Sequence, residues 1–412
     1  MSGEPTDWEQ RVIERAARRE VVIVAGLAVA VGAFVAVFAV RHGFFDLKVY
    51  YGAVNYWIHD HGMLYDFLKP NSKYGFTYPP FAAIAMVPMA VVPWVLAILV
   101  SIGLSLGATY ALLRWLVLPI ARREGWTPWF AGAVAFLLMV AFEPYRETIT
   151  FGQVNLLLLF LVALDLLVGV AGGRRWAGVG IGLATAIKLT PGVFIVYLLV
   201  TRRWRAAFVA SLTAGLATLA AAAVDPGASR EFWTSALWDT DRVGSLAFVS
   251  NQSLQGMVAR LSPEHPSSLA WGLLVVAVLG LWAWRVRSAS LAEGLALTGV
   301  VGCLISPVTW VHHLVWLLPA LILWFAAGVR APSSHRRRVL LGVAVVFYAV
   351  LCSRLVWAWE HGFGGVGGFL GSNAYVWISL ALLIFLPLRS SSPSSAEGAG
   401  VAELRERDAV AA

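Results

Sequence analysis

The sequence is poor in charged residues and in cysteine. Charged residues make up 13% of the 412 residues, whereas 59% are hydrophobic, a composition too apolar for a chain that folds in water. The only cysteines, Cys303 and Cys352, stand in apolar surroundings, so neither a disulfide framework nor a cysteine metal cluster is indicated. Basic residues gather in short stretches between apolar segments, so the net charge of +8 indicates membrane orientation rather than nucleic-acid binding.

The sequence is rich in long apolar runs. Residues 21–40 form an uninterrupted run of about 20 residues, the length that crosses a bilayer core. The polar segment 1–20 before it carries Arg11, Arg15, Arg18 and Arg19, which predicts a cytoplasmic N-terminus with a retained first helix. We predict an all-α polytopic membrane protein with about ten to twelve transmembrane helices. After the first run, the predicted segments are 77–92, 94–118, 128–142, 152–171, 177–200, 206–224, 269–284, 290–305, 311–330, 339–355 and 373–388.

The predicted helices form one integral-membrane domain, residues 21–388. Two longer polar stretches interrupt it, a first extracytoplasmic loop at 41–76 and a later one at 225–268. The remaining tail, 389–412, is rich in Ser, Ala, Glu and Arg, which predicts disorder on the cytoplasmic side.

The first loop contains an amphipathic segment with Asp46 at its start. Helical spacing of its apolar residues predicts a helix that lies flat on the membrane; these are Leu47, Tyr50, Tyr51, Val54, Trp57 and Ile58, with Lys48 on the opposite face. Asp46 occupies the expected N-cap position. A lone carboxylate at the membrane boundary is also suited to act as a general base, and spacing alone leaves both roles open.

Two amide-rich motifs stand next to apolar segments. Gln153 and Asn155 precede one predicted helix, and Asn251 and Gln252 lie in the later loop. Amides at these positions are suited either to capping a helix or to hydrogen-bonding sugar hydroxyls, so both interpretations stay open.

Lys188 lies inside an apolar stretch, next to Pro191. An ionisable residue at membrane depth costs about 2.5–3.5 kcal/mol on insertion scales, which makes function the default hypothesis; snorkelling to the interface is the alternative. The proline predicts an interrupted helix, which is tolerated where protein or a water-filled cavity satisfies the backbone. A cation at such a break is suited to neutralising a phosphate.

His312 and His313 stand side by side at an apolar boundary, close to Trp310. Adjacent positions on a helix point about 100° apart, so we expect one of the two rings to face the reaction. Neither a cysteine nor a well-spaced carboxylate accompanies them, which argues against a zinc site.

In order along the chain, from about residue 20 to residue 330, these motifs resemble those of the actinobacterial polyprenyl-phosphate-mannose-dependent α-1,2-mannosyltransferases of glycosyltransferase family 87. The resemblance is carried by Phe45-Asp46-Leu47-Lys48, Thr77-Tyr78-Pro79-Pro80-Phe81, Gly152-Gln153-Val154-Asn155, Ile187-Lys188-Leu189-Thr190-Pro191, Asp241-Arg242, Asn251-Gln252-Ser253 and Ser306-Pro307 through His312-His313. It implies the GT-C membrane fold. It also implies transfer of mannose, with inversion, from polyprenyl phosphate mannose to the 2-hydroxyl of a mannosyl residue on a phosphatidylinositol mannoside or lipomannan-type glycolipid at the outer face of the plasma membrane.

The resemblance further implies roles for single residues. Asp46 is expected to be the general base, assisted by His312 or His313, and Lys188 is expected at the donor phosphate, where we also place Arg146. We assign the remaining polar and aromatic motif residues to substrate binding: Lys48, Tyr78, Gln153, Asn155, Arg242, Asn251, Gln252 and Trp310.

The expected partners are the lipid-linked sugar donor, the mannosylated glycolipid acceptor and membrane lipids, with no nucleic acid. No cofactor is expected, and activity should be independent of metal because basic side chains can stabilise a departing phosphate. A multi-pass glycolipid transporter or flippase is the alternative function, since it would also bury a lysine and interrupt helices. It predicts internal repeats with charges at matching places, and the sequence has none.

Overall fold

The computed structural model describes residues 7–239, 242 and 244–388. Residues 1–6, the tail 389–412 and Asp241 therefore lie outside the described residues. The α-helices of the described chain are α1 (Asp7–Phe38), α2 (Phe45–His59), α3 (Pro80–Met86), α4 (Trp94–Leu112), α5 (Leu118–Arg123), α6 (Pro128–Ala141), α7 (Glu143–Phe151), α8 (Asn155–Leu164), α9 (Val179–Ile187), α10 (Val193–Val200), α11 (Trp204–Val224), α12 (Pro226–Glu231), α13 (Leu254–Leu261), α14 (Ser268–Val286), α15 (Leu291–Ile305), α16 (Leu318–Val329), α17 (Ser334–Cys352), α18 (Gly365–Ser372) and α19 (Ala374–Phe385).

Short 3-10 and π-helical segments connect several of these α-helices. Helices of the 3-10 type occupy Val87–Val91, Thr190–Gly192, Val311–Leu317 and Leu355–Trp359, and π-helical turns occupy Leu113–Val117, Asp165–Val170 and Phe232–Ala236. The described ranges hold no strand, and their β-pairing is a single isolated bridge between Leu68 and Gly75.

The helices confirm the all-α polytopic membrane architecture. Five described helices are long and apolar enough to cross a bilayer: Glu14–Phe38, Trp94–Arg123, Trp204–Val224, Ser268–Val286 and Val311–Val329. Counting each of two sharply bent helix pairs as one span raises the number to seven, and four further apolar helices are shorter. Ten to twelve crossings are therefore reached only if the short helices also span the membrane. The boundaries of the two predicted extracytoplasmic loops stay predictions.

Within the described residues, the buried apolar side chains form two clusters. The larger, which we call the membrane core, is built mainly from α8, α15, α19 and Val311–Leu317. The smaller, the loop cluster, consists of Leu47, Val49, Tyr50, Ala53, Val54, Leu64, Tyr65, Phe76, Tyr78, Ala82, Ala83, Met86, Ala228 and Phe232. Val154 and Ile187 pack against both clusters, so the chain segments that carry Gln153 and Lys188 run along their junction.

Helix α2 is present where the periodicity predicts it, but protein covers its apolar face. Leu47, Tyr50 and Val54 are buried in the loop cluster, because α3 and the loop after α2 fold over the surface that we expected to face lipid. The prediction that Asp46 caps this helix is wrong. The helix begins at Phe45, and its N-cap, Phe44, is left-handed with φ 56° and makes no side-chain cap hydrogen bond. The Asp46 carboxylate is therefore available for other contacts.

Candidate active site

A cavity of about 640 Å³ opens between the loop cluster and the membrane core. It is lined by side chains from α2, from the chain before α3, and from the breaks after α7 and α9. The segment before α16 also lines it, as do Arg242, Phe248 and Trp357. Eight of the residues predicted from the sequence lie on its surface: Asp46, Tyr78, Gln153, Lys188, Arg242, Trp310, His312 and His313. We call this space the central cavity.

The position of Asp46 follows from a close approach of α2 to the end of α7. Helix α7 ends at Phe151, and its C-cap, Gly152, has a φ of 72°, which favours glycine. A Cβ at Gly152 would lie only 2.6 Å from Leu47 Cβ. Phe44 also donates its backbone N–H to Thr150 O at 2.8 Å. These contacts bring Asp46 to Gln153, whose Nε2 donates to Asp46 Oδ2 at 2.6 Å.

Burial changes the acidity of Asp46. Desolvation raises the pKa of its carboxyl group to about 6, although the Gln153 hydrogen bond and the positive charge of Lys188 oppose that rise. A carboxylate with this pKa is ionised at neutral pH and is a stronger base than an exposed aspartate, so it suits proton abstraction.

A chain of hydrogen bonds connects Asp46 to Lys188. Tyr78 donates its hydroxyl to Gln153 Oε1 at 2.9 Å, and Lys188 Nζ donates to the same hydroxyl at 3.3 Å. Tyr50 supports Tyr78 by donating to that hydroxyl at 2.9 Å. A carboxylate and a cation are thereby held on one wall of the cavity by neutral polar groups.

Lys188 occupies the predicted helix break. Helix α9 ends at Ile187, Lys188 is extended, and the chain resumes in the 3-10 helix Thr190–Gly192. The Lys188 ammonium group also donates to Asn155 Oδ1 at 3.1 Å and lies 2.9 Å from His313 Nε2. The polar contacts of Lys188 with described residues are therefore all made inside the protein.

The two histidines face different parts of the central cavity. Their rings are nearly perpendicular, with centroids 4.6 Å apart. His313 Nδ1 accepts the backbone N–H of Trp310 at 3.0 Å, which turns Nε2 toward Lys188. His312 is 5% exposed, and its Nε2 has no hydrogen-bond partner among the described residues. Both rings line the cavity, and the expectation that one of them faces the reaction stays a prediction.

Arg242 lies at the rim of the cavity, on the loop-cluster side. It donates to Tyr65 O at 3.1 Å and pairs with Asp239 and Glu231 at 3.5 Å and 3.9 Å. These contacts attach the later loop to the first one, and they leave Arg242 partly exposed on the cavity wall.

Two basic residues predicted at the site lie outside the cavity lining. Arg146 is buried and donates to Ala141 O and Cys352 O, the last residues of α6 and α17, whose carbonyls have no partner within their helices. Lys48 is exposed on α2. Arg146 therefore joins helix ends, and Lys48 has no contact with the cavity.

Of the four amides predicted at the site, Gln153 lines the central cavity, and the other three support the cavity wall from behind. Asn155 lies directly behind Lys188 and donates to His312 O at 3.3 Å. Asn251 donates to Pro307 O at 3.1 Å and accepts from Thr309 N at 2.9 Å. Gln252 donates to backbone carbonyls of Val249 and Ser372 at 2.6 Å and 2.8 Å. Asn251 and Gln252 are fully buried and support the segment that carries the histidines.

The sequence did not single out a group of charged residues on the same cavity. Glu147 lines it, and its Oε1 accepts from Arg354 Nη1 at 3.2 Å. His42 Nε2 lies 3.5 Å from the same oxygen, without hydrogen-bond geometry. The available signal was a glutamate pair, Glu143 and Glu147, spaced one helical turn apart. Across residues 7–239, 242 and 244–388, no group of three His, Cys, Asp or Glu side chains is arranged to hold a metal ion.

Comparison with known proteins adds a family relationship. The model of glycosyltransferase family 87 matches residues 76–307, more than half of the chain; this range includes Tyr78, Gln153 and Lys188 but neither Asp46 nor the two histidines. A phosphatidylinositol mannoside mannosyltransferase of Mycolicibacterium smegmatis, named as polyprenol-phosphate-mannose-dependent and α-(1-2), is 32% identical over 353 residues, which cover 77% of this chain and 76% of that relative.

Two further relatives carry related names. A pentamannoside mannosyltransferase of M. smegmatis is 35% identical over 303 residues, 69% of this chain and 70% of the relative. A phosphatidylinositol mannoside mannosyltransferase of Mycobacterium tuberculosis is 29% identical over 343 residues, 75% of each chain. No solved structure matches.

Proposed function

Because this chain belongs to glycosyltransferase family 87, we propose that it transfers mannose from polyprenyl phosphate mannose to the 2-hydroxyl of a mannosyl residue on a glycolipid. The acceptor class is phosphatidylinositol mannoside or lipomannan, and the product linkage is α-1,2. The names of the relatives support the donor and the acceptor class. The observation that carries the proposal is the hydrogen-bonded chain from Asp46 through Gln153 and Tyr78 to Lys188 on one cavity wall.

In this proposal Asp46 is the general base. Its carboxylate takes the proton of the acceptor 2-hydroxyl while that oxygen attacks the anomeric carbon of the donor mannose. The bond between the anomeric carbon and the phosphate oxygen breaks on the opposite face, so a β-linked donor gives an α-linked product. General-base catalysis contributes about 10²- to 10⁴-fold in rate, and the pKa of about 6 for Asp46 keeps it ionised near neutral pH.

Lys188 stabilises the departing polyprenyl phosphate. Its ammonium group already donates to the Tyr78 hydroxyl and to Asn155 Oδ1, so it needs little reorganisation when negative charge develops on the leaving oxygen. We propose that this fixed positive charge makes the reaction independent of metal.

Both substrates carry lipid tails, which favours a site at the membrane boundary. We propose that the protein lies in the plasma membrane with the central cavity open to the extracytoplasmic side. Arg11, Arg15, Arg18 and Arg19 precede the apolar run of α1 and support this orientation through the positive-inside rule, because the first loop then follows one crossing of the membrane.

The test uses purified protein with labelled polyprenyl phosphate mannose and a panel of mannosylated glycolipids, followed by linkage analysis of the product. We expect one added α-1,2-linked mannose, with equal yield in the presence of a chelator. Transfer to none of the acceptors, accompanied by movement of donor or acceptor between leaflets of a vesicle, would overturn the proposal in favour of a flippase. Chelator-sensitive transfer would overturn only metal independence.

A further inference from the structure

The wall of the central cavity that carries Glu147 has the properties of a second binding region. Glu147 is 3% exposed and reaches the cavity from the last turns of α7. Its Oε1 accepts from Arg354, whereas its Oε2 makes no hydrogen bond to a described residue. A carboxylate oxygen that reaches a cavity without a protein partner is available to accept a hydrogen bond from a ligand.

Glu143, one turn earlier on α7, is a carboxylate with a structural role and serves as a comparison for Glu147. It is fully buried, and both of its oxygens accept hydrogen bonds: Oε1 from Trp357 Nε1 at 2.7 Å and Oε2 from the Tyr375 hydroxyl. It does not line the cavity. The two glutamates share Arg354, yet only Glu147 keeps an oxygen available to a ligand.

Three aromatic side chains form a continuous surface beside this carboxylate. The ring of Phe248 lies 6.1 Å from that of Trp310 and 5.9 Å from that of Trp357, and all three line the cavity. Phe248 remains exposed. Aromatic side chains with a few convergent polar groups are the usual lining of a small-molecule site, and the apolar face of a sugar ring fits against such a surface.

An unpartnered nitrogen points to a ligand independently. His312 Nε2 is buried, lacks a hydrogen-bond partner among the described residues and belongs to the cavity lining. Its ring lies 5.1 Å from Phe151, which stacks at 3.7 Å on His42, the histidine next to Glu147. A buried nitrogen without a partner and a carboxylate oxygen free of protein donors, both on the same cavity, suit a ligand rich in hydroxyl groups.

We propose that Glu147, His312 and the aromatic surface of Phe248, Trp310 and Trp357 bind the acceptor's terminal sugar and orient its 2-hydroxyl toward Asp46. This inference rests on the proposed function. In an inverting displacement the acceptor oxygen and the leaving phosphate lie on opposite faces of the transferred sugar, so the acceptor occupies the side away from Lys188. The Glu147 carboxylate can accept a hydrogen bond from a sugar hydroxyl through Oε2, because Arg354 occupies only Oε1.

The test compares Glu147→Gln with Glu360→Gln, a matched control that removes the same charge from an exposed position beyond Trp357. Kinetics are measured with polyprenyl phosphate mannose, a synthetic α-mannosyl glycolipid and its 3-, 4- and 6-deoxy analogues. We expect Glu147→Gln to raise the KM for the intact acceptor about 10- to 100-fold, the effect of losing a hydrogen bond to a charged group. The KM for the donor stays unchanged, and Glu360→Gln behaves as wild type.

The deoxy analogues separate binding from structural support. A site built to bond a hydroxyl rejects the analogue that lacks it, so wild type should discriminate against at least one analogue and Glu147→Gln should lose that discrimination. An equal loss toward donor and acceptor, or discrimination identical to wild type, overturns the acceptor subsite.

A further variant keeps the subsite testable if Glu147→Gln does not fold. Phe248→Leu removes an exposed ring, and an unchanged acceptor KM in that variant overturns the aromatic surface as a sugar platform. Wild-type protein that transfers no mannose overturns the proposed function. Wild-type protein that transfers mannose, combined with normal acceptor kinetics in Glu147→Gln, overturns the subsite alone.

Discussion

Gln153 Nε2 donates a 2.6 Å hydrogen bond to Asp46 Oδ2 across 107 positions of the sequence. This bond connects the first turn of α2 to the short turn between α7 and α8. Because Tyr78 occupies the other end of the Gln153 amide, the amide orientation is fixed from both sides. The carboxylate is therefore held in one place before any substrate arrives, as general-base catalysis requires.

Asp46→Asn should leave the protein folded and reduce transfer about 10²- to 10⁴-fold, because the amide keeps the size of the carboxylate but cannot accept a proton. Turnover with labelled donor and thermal unfolding in detergent measure the two effects. The control is Asp60→Asn, on the exposed residue after α2, which should retain wild-type turnover. Near-normal turnover in folded Asp46→Asn would remove Asp46 from the role of base.

The acid limb of the pH profile should report Asp46. The base must be deprotonated, and its pKa is raised to about 6 by burial, so kcat/KM should fall about tenfold per unit of pH below 6. Gln153→Leu removes the hydrogen bond that opposes this rise, and it should therefore move the acid midpoint to higher pH. A midpoint that is the same in both proteins would assign the titration to another group.

Lys188→Met should weaken binding of polyprenyl phosphate about 10- to 100-fold, because it removes hydrogen bonds from a cation to the phosphate while keeping the length of the side chain. Lys48→Met provides the matched control, since Lys48 is exposed and lies off the cavity. Direct binding of the lipid phosphate to purified protein measures both. Equal affinities in the two variants would refute a phosphate-binding role for Lys188.

Arg146→Met should lower the free energy of unfolding by about 1–3 kcal/mol, the cost of leaving buried carbonyls without donors. Its guanidinium group bonds the ends of α6 and α17 and does not line the cavity. Donor affinity of the folded variant should equal that of wild type. Chemical denaturation measures the free energy of unfolding, and a binding assay measures donor affinity. A loss of donor affinity without a loss of stability would show that Arg146 binds the donor phosphate.

Gly152→Ala should lower both stability and turnover. The left-handed backbone costs a non-glycine residue about 1–2 kcal/mol, and the new Cβ would meet Leu47 Cβ at 2.6 Å, which moves α2 and hence Asp46. Gly132→Ala on α6, where an added Cβ meets nothing within 4 Å, is the control. Turnover per folded molecule distinguishes displacement of Asp46 from a loss of stability alone. An unchanged turnover per folded molecule would show that the added Cβ does not displace Asp46.

Sequence reasoning succeeded where a single segment carries the signal. The length of apolar runs predicted the membrane architecture, and Pro191 predicted the interruption beside Lys188. Amphipathic spacing found α2 because periodicity depends only on neighbouring turns. The same spacing could not identify what covers the apolar face of α2, since α3 and Phe232, which bury it, are distant in sequence.

Roles that depend on distant contacts were less predictable. Arg146 and Lys188 are both basic residues at interruptions between apolar segments, yet one bonds helix ends and the other faces a cavity. Asn251 and Gln153 are both amides before helices, yet one supports a loop and the other bonds the candidate base. Residue type alone therefore does not separate structural from chemical roles; the partner residue in the folded chain does.

The sequence alone determined that this chain is an all-α membrane protein and carried the order of motifs typical of glycosyltransferase family 87, because bilayer length and local motifs are properties of contiguous residues. The tertiary structure decided that Asp46 lies beside Gln153 rather than at a helix cap, and that Glu147 reaches the same cavity. Hydrogen bonds form between groups that are close in space, and here the closeness comes from the packing of α2 against the end of α7.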